Sequence, residues 1–197
     1  MKKLVIASNN PGKLREFQFL LQPLGIEVLT QTQLGIAEAE EPHHTFIENA
    51  LAKAHHASLL SGLPALADDS GICVEALGGA PGVQSARYAG DNPKSDRHNN
   101  EKLLQAMQGV KDRRAHYYCV LVLLHHADDP QPLIAEGEWH GEIAHAERGD
   151  GGFGYDPLFW LPELGKMSAE LSRDEKHAIS HRGKALQVLL QRLRRTT

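Results

Sequence analysis

Cysteine is scarce in this chain, which has only Cys73 and Cys119 among its 197 residues. Both lie in apolar stretches, which favours two buried, reduced thiols over a disulfide. No hydrophobic run approaches the roughly 20 residues that cross a bilayer. The opening MKKLVIASNN briefly resembles a signal peptide, but its apolar run LVIA is too short and Asn-Asn-Pro-Gly follows at once. We therefore expect a cytoplasmic protein with no membrane partner.

The chain also lacks an excess of positive charge, because its formal net charge is −4. Binding of DNA or RNA without sequence preference needs a basic surface, so we expect no nucleic acid polymer as a partner. An anionic substrate would instead need a metal, or a local cluster of Lys and Arg, to offset the repulsion. HExxH and paired CxxC motifs are absent as well. The twelve histidines include adjacent pairs, whose side chains point to different faces of a helix or strand, and this argues against zinc.

The overall composition is that of a globular protein, with 41% hydrophobic and 23% charged residues. No linker, internal repeat or low-complexity stretch interrupts it, so we predict a single domain over residues 1–197, large enough for two lobes around a cleft. Predicted strands and helices alternate early, and PLIAEGEW and GEIAHAE are predicted to form a hairpin later. The pattern predicts an α/β fold with a mixed, twisted central sheet and flanking helices.

The turn at Ser8–Lys13 is the first candidate site, because it joins a predicted strand to a predicted helix N-terminus. Backbone N–H groups and the helix dipole make such a turn an anion site, and Gly12 allows a ligand to approach closely. Lys13 adds a full positive charge. An ordinary strand-to-helix turn explains the same residues equally well. A Walker A loop is excluded, since the upstream glycine is missing and Leu14 stands where Ser or Thr belongs.

Carboxylates supply the second candidate site. Asp68 and Asp69 are placed at the C-terminal end of an apolar strand, where oxygen ligands suit a hard cation such as Mg²⁺. Adjacent strand residues face opposite ways, so one should face the site while the other holds backbone or a Lys. An Asp-rich turn is the alternative. Glu41, in an acidic loop, is a solvated residue unless the fold brings it near Asp69.

Two later tracts could form a pocket for a nucleobase. In GGFGYDP, an aromatic ring between glycines can stack on any base, although a tight turn with core aromatics is the simpler interpretation. In Ser180–Gly183, Arg182 offers a planar fork of donors and His181 can donate or accept near neutral pH. A helix junction with surface charges is the alternative for that tract and for Lys176.

Together, these tracts resemble the inosine triphosphate pyrophosphatase family, whose members act on ITP, dITP and XTP. The matching pieces span residues 6 to 186 in the family's order: ASNNPGKLRE, TFIENALAKA, ALADDSG, GGAPGVQSARYAG, GGFGYDPLF and AISHRGKAL. The resemblance implies a homodimer, an elongated two-lobed fold around an active-site cleft, and Mg²⁺. It implies cleavage between the α- and β-phosphates, which gives a nucleoside monophosphate and pyrophosphate and removes deaminated purines from the nucleotide pool.

The resemblance also implies roles for particular residues. Asp69 would be the general base and a metal ligand, with Glu41 as a second metal ligand. The residues implied to contact the nucleotide, mainly at its phosphates, are Ser8, Asn9, Asn10, Pro11, Gly12, Lys13, Lys53, Ser70 and Lys176. Those implied to form the base pocket are Phe153, Gly154, Tyr155, Asp156, His181 and Arg182.

Two departures from the family's pattern leave the catalytic groups in place. Ser8-Asn9 stands where Thr-Gly is usual, and Tyr155 replaces a Trp found in some relatives. Three alternatives stay open: a phosphatase that releases orthophosphate, a relative acting on modified pyrimidines, and a regulatory module that binds nucleotide without turnover. The Asp68-Asp69 pair argues against the last, because binding alone needs cations more than carboxylates.

Overall fold

A computed structural model describes residues 2–90 and 93–195 of the chain. A seven-stranded sheet has the order β2-β1-β3-β4-β5-β6-β7. Strand β1 is parallel to β2 and β3, whereas β6 is antiparallel to both β5 and β7. This confirms the predicted α/β fold with a mixed sheet. The strands are β1 Lys3–Ile6, β2 Glu27–Thr30, β3 Ala65–Val74, β4 Arg114–Leu124, β5 Leu133–Ile143, β6 Phe159–Leu161 and β7 Lys166–Met167.

Side-chain caps begin four of the helices. Asn10, Thr45, Ser95 and Ser172 are extended residues whose side-chain oxygens accept backbone N–H bonds from the first turn that follows. Ser or Thr followed three residues later by Glu is a pattern typical of helix caps, and Thr45 with Glu48 and Ser172 with Glu175 both fit it. The helices are α1 Pro11–Leu21, α2 Phe46–Ser61, α3 Asp96–Ala106, α4 Arg173–Ile179 and α5 His181–Arg195.

The chain divides into two compact units, and the division falls between Asp69 and Ser70, within β3. Unit 1 contains the residues up to Asp69, Cys119–Glu136, and the residues from Ala185 onward; unit 2 contains Ser70–Tyr118 and Gly137–Lys184. In unit 1, side chains of α1 and α5 pack on the sheet in one apolar core; in unit 2, α3 and the aromatics of β4–β6 form another. The single domain over residues 1–197 stays a prediction.

Two predicted elements were wrong in detail. Strand β3 does not end at the aspartates but continues to Val74, because Ile72 and Val74 are fully buried and extend the apolar pattern. The predicted hairpin is instead one continuous strand, β5. Its Gly141 is no turn residue: a Cβ there would lie 2.5 Å from the Trp160 carbonyl oxygen, so glycine permits the close approach of β6.

The cysteines are both free thiols; Cys119 is buried as predicted, but Cys73 is only half-buried. Within the described ranges, no helix combines the length and apolarity needed to traverse a lipid bilayer.

Candidate active site

The turn between β1 and α1 is organised by its own side chains. The Asn10 Oδ1 accepts the Gly12 N–H at 2.9 Å and the Lys13 N–H at 3.2 Å, and Ser8 Oγ accepts the Asn10 N–H at 3.2 Å. Two of the donors expected to meet an anion are therefore occupied by the helix cap in this conformation. Pro11, the first helical residue, has no N–H to offer.

Asn9 fixes the turn from outside. Its Oδ1 accepts hydrogen bonds from Gln31 Nε2 at 3.1 Å and Thr32 Oγ1 at 2.8 Å, which lie just after β2. A glycine at this position could make neither bond. The departure from the usual Thr-Gly thus gives the turn a second anchor and leaves the Ser8 hydroxyl in place.

Asp68 and Lys13 form a buried ion pair. Lys13 Nζ lies 3.0 Å from Asp68 Oδ2, and the Asp68 side chain is completely inaccessible to solvent. Asp68 and Asp69 point to opposite sides of β3, as the alternation of a strand requires. Asp68 therefore holds the Lys13 ammonium beside the turn. Holding a Lys is one of the two roles that the sequence predicted for the aspartate facing away from the site.

Asp69 lies in a cluster with Lys53, Glu41 and Asn49, all within unit 1. Lys53 Nζ is 2.5 Å from Glu41 Oε1 and 3.2 Å from Asp69 Oδ1, and Asn49 Nδ2 donates to Asp69 Oδ2 at 3.3 Å. Asn49 and Lys53 share a face of α2 because they are four residues apart. Glu41 is therefore not a solvated loop residue: one ammonium bridges it to Asp69.

Burial dominates the electrostatics of this cluster. It raises the pKa of Asp69, since desolvation of the carboxylate outweighs the opposing effect of Lys53 and Lys13. Burial alone would lower the pKa of Lys53, but Asp69, Asp68 and Glu41 together outweigh it and raise that pKa. Lys53 thus stays charged, and Asp69 is a stronger base than an exposed carboxylate.

The donor set of the cluster fits Mg²⁺. The carboxylate oxygens of Asp69 and Glu41 both lie next to the Lys53 ammonium, so they already surround one positive charge. In the described part of the chain no three His, Cys, Asp or Glu side chains are arranged to hold a metal ion. Two carboxylates suit Mg²⁺, which usually keeps waters and substrate phosphates as its other ligands.

Asp156 organises the glycine-rich loop of unit 2. Its Oδ2 accepts the Phe153 N–H at 2.8 Å and lies 2.6 Å from Lys176 Nζ, while its Oδ1 accepts the Ser168 hydroxyl at 2.8 Å. Gly152 permits this arrangement, because it has φ +76° and a Cβ there would lie 2.0 Å from Asp156 Oδ2. Asp156 therefore holds the loop in shape with a buried carboxylate.

Phe153 has two cations near its ring. Lys176 Nζ is 4.9 Å from the ring centroid and the Arg182 guanidinium carbon is 6.0 Å from it. The structure thus places Lys176 beside Phe153 and Asp156, in unit 2. Ser70 is likewise bound to Arg182, whose Nη2 donates to Ser70 Oγ at 3.0 Å.

The remaining predicted pocket residues are more deeply packed. His181 stacks on Tyr117 with ring centroids 4.7 Å apart and an interplanar angle of 9°. Tyr155 belongs to the unit 2 core, and its hydroxyl donates to the Ser85 carbonyl oxygen at 2.7 Å. Desolvation raises the pKa of Tyr155, so the phenol stays neutral. Of the aromatics in this loop, half-buried Phe153 is therefore the one with an accessible face.

Sequence reasoning missed several buried polar residues that support these clusters: Asn49, Ser85, Asn100 and Ser168. A usable signal existed for Asn49, because a polar residue one turn before Lys53 shares its helix face. No comparable periodicity marks Ser85 or Ser168.

The chain matches the Ham1 family over residues 4–192. It is 66% identical to a protein of Ralstonia nicotianae named dITP/XTP pyrophosphatase, over 98% of each chain. It is 67% identical to a protein of the same name from Nitrosomonas europaea, over 98% of this chain and 95% of that one.

Solved structures agree. A HAM1 protein from Coxiella burnetii superposes with a TM-score of 0.92 at 48% identity, covering 99% of this chain and 100% of that one. The Ham1 protein of Staphylococcus aureus gives a TM-score of 0.88 at 41% identity, covering all of both chains. On sequence and on fold, the chain belongs to the Ham1 family.

Proposed function

We propose that this chain hydrolyses the triphosphates of non-standard purines, ITP, dITP and XTP, to the nucleoside monophosphate and pyrophosphate. Relatives at 66% and 67% identity carry the name dITP/XTP pyrophosphatase. The observation that carries the chemistry is the Asp69 cluster: a buried carboxylate of raised pKa, held between the Lys53 ammonium and the Asn49 amide.

The reaction is a displacement at the α-phosphorus. A water oxygen forms a bond to the α-phosphorus, the bond from that phosphorus to the bridging oxygen of the β-phosphate breaks, and pyrophosphate leaves. Asp69 accepts one proton from the water, a step for which a raised pKa is favourable. Lys13 and Lys53 offset the negative charge of the phosphates.

Mg²⁺ is the proposed cofactor, with Asp69 and Glu41 as its protein ligands. When bound, it supplies positive charge that stabilises the phosphate oxygens. A change of Glu41 to Gln would remove one of only two carboxylates, so the Mg²⁺ concentration for half-maximal activity should rise. Asp68 serves the site indirectly, since its ion pair holds Lys13.

We assign the selection of the nucleobase to residues of unit 2. The Phe153 face would stack on the purine, and Arg182 would donate to the 6-keto oxygen that hypoxanthine and xanthine carry. Adenine presents an amino group there, which would leave a buried donor unpaired. Sites that hydrogen-bond a substrate group can reject analogues lacking it by about 10⁴-fold or more. His181 supports this pocket and, packed on Tyr117, has its ring orientation fixed.

We also propose a homodimer, on the strength of the family resemblance alone. A cytoplasmic location is proposed separately, because the sequence has no hydrophobic run of transmembrane length. Light scattering on the purified chain should give twice its mass of 21.7 kDa. A mass of one chain at micromolar concentration would exclude the dimer.

The test of the activity is a panel of ITP, dITP, XTP, GTP and ATP, each assayed for kcat/KM with the products identified. We expect pyrophosphate from the first three and strong rejection of ATP. Orthophosphate formed directly would favour the phosphatase alternative. Tight binding of ITP and Mg²⁺ without turnover would favour the regulatory module.

A further inference from the structure

Two side chains of helix α3 form hydrogen bonds to the same residue of the glycine-rich loop of unit 2, Gly154. The Gly154 N–H donates to Asp96 Oδ2 at 2.7 Å, and its carbonyl oxygen accepts from Asn100 Nδ2 at 3.2 Å. Asp96 and Asn100 are four residues apart, so they share one face of α3. The backbone N–H and the backbone C=O of Gly154 are thereby both held by side chains from successive turns of the helix.

Gly154 is a position where such support matters. Its φ is +61°, a left-handed conformation that residues with a Cβ rarely adopt. It lies between Phe153, whose N–H is bonded to Asp156, and Tyr155, whose hydroxyl is bonded to the Ser85 carbonyl oxygen. With those two anchors in place, the contacts from α3 fix the peptide that follows the Phe153 ring.

Asn100 lowers the stability of the fold relative to an apolar residue at the same position, so stability alone does not explain its presence. It is 3% exposed, and its Oδ1 is buried with no hydrogen-bond partner in residues 2–90 and 93–195. A buried acceptor without a partner destabilises the fold, and an apolar side chain of similar shape would avoid that cost. Its Nδ2 donates to the Gly154 carbonyl oxygen, a bond that an apolar residue could not make.

We propose that Asp96 and Asn100 are positioning residues of the base pocket, which act through Gly154 to hold the Phe153 ring in its binding orientation. The inference rests on the proposed function, because it takes Phe153 as the surface on which the purine stacks. Neither residue touches the proposed reacting atoms. Their loss should therefore weaken binding of the base and leave the chemical step intact.

The test compares variants of the full chain in steady-state kinetics with ITP. For Asp96→Ala we expect KM to rise about tenfold, the effect of losing one charge-assisted hydrogen bond, with kcat within about twofold of wild type. Asp96→Asn keeps an acceptor oxygen and should restore most of the loss. The matched control is Ser95→Ala, which removes the helix cap, and hence some helix stability, without touching Gly154. Its KM should stay that of wild type.

Two further measurements separate the inference from its premise. In the double variant Asp96→Ala/Phe153→Ala, KM should be no higher than in Phe153→Ala, because Asp96 acts only through that ring. Amide exchange at Gly154 should be at least about tenfold faster in Asp96→Ala than in wild type or Ser95→Ala.

An unchanged exchange rate, a KM that rises equally in Ser95→Ala, or fully additive effects in the double variant would each overturn the positioning role. Failure of wild type to hydrolyse ITP would overturn the proposed function instead, and the exchange measurement would still decide whether α3 holds the loop.

Discussion

The buried ion pair between Asp156 and Lys176 allows a stability prediction that does not depend on substrate. Asp156 has 3% and Lys176 10% of its side chain exposed, and the carboxylate accepts hydrogen bonds from Lys176, Ser168 and the Phe153 backbone. The change to test is Asp156→Ala, which removes the acceptor oxygens from all three donors and takes this carboxylate away from the buried ammonium.

The size of the effect follows from that geometry. Breaking a buried ion pair by removing one partner costs about 3–5 kcal/mol, because the remaining charge stays desolvated. Proteins of this kind unfold with a total free energy of about 5–15 kcal/mol, so the loss is a large fraction of it. At about 2–4 °C per kcal/mol for a chain of this length, Tm should fall by roughly 6–20 °C.

Calorimetry without nucleotide measures the fall in Tm directly. Two further variants test whether that fall comes from the buried ion pair. Glu101→Ala breaks an exposed ion pair with Arg97 and should leave Tm within about 1 °C, since such pairs contribute little. Asp156→Asn/Lys176→Met removes both charges and should recover much of the stability that Asp156→Ala loses. A Tm for Asp156→Ala equal to that of Glu101→Ala would refute the reasoning.

Four other outcomes follow from the site. Asp69→Asn should lower kcat by about 10²–10⁴-fold with an unchanged fold, the usual cost of losing a general base, and wild-type turnover would mean another carboxylate does this work. Glu41→Gln should raise the Mg²⁺ requirement, measured by titrating activity with MgCl₂. Arg182→Ala should narrow the ITP-to-ATP ratio of kcat/KM, whereas Phe153→Ala should weaken all purines together. Gly152→Ala should destabilise the chain by more than about 1 kcal/mol in a denaturant titration, because the new Cβ meets the Asp156 carboxylate at 2.0 Å.

Local sequence signals predicted the elements that depend on local physics. The caps at Asn10, Thr45 and Ser172 could be predicted because capping involves residues two or three apart. The course of β3 beyond Asp69 could not be predicted from the sequence, because burial against the rest of unit 2 decides it and strand propensity does not. The role of Gly141 depends on Trp160, which lies 19 residues later in the chain and meets it only across the sheet.

The same division applies to the site. Strand alternation predicted that Asp68 and Asp69 face opposite ways, with one of them holding backbone or a Lys. It could not predict that the partner of Asp68 is Lys13. The proximity of Glu41 to Asp69 depends on Lys53 and on a loop whose course no pattern in the sequence fixes. The resemblance implied that Lys176 contacts the nucleotide, and that role stays a prediction. The structure adds that Lys176 pairs with Asp156 beside the Phe153 ring, a pairing between residues 20 positions apart that no local pattern could predict.

The central claim is attack of water on the α-phosphorus with pyrophosphate as leaving group, and hydrolysis of ITP in ¹⁸O-labelled water tests it most directly. Mass spectrometry of the products after a single turnover should find one ¹⁸O atom in IMP and none in pyrophosphate, with no orthophosphate formed. Label in pyrophosphate would place the attack on the β-phosphorus, and labelled orthophosphate would place it on the γ-phosphorus. Either result would contradict the mechanism assigned to Asp69.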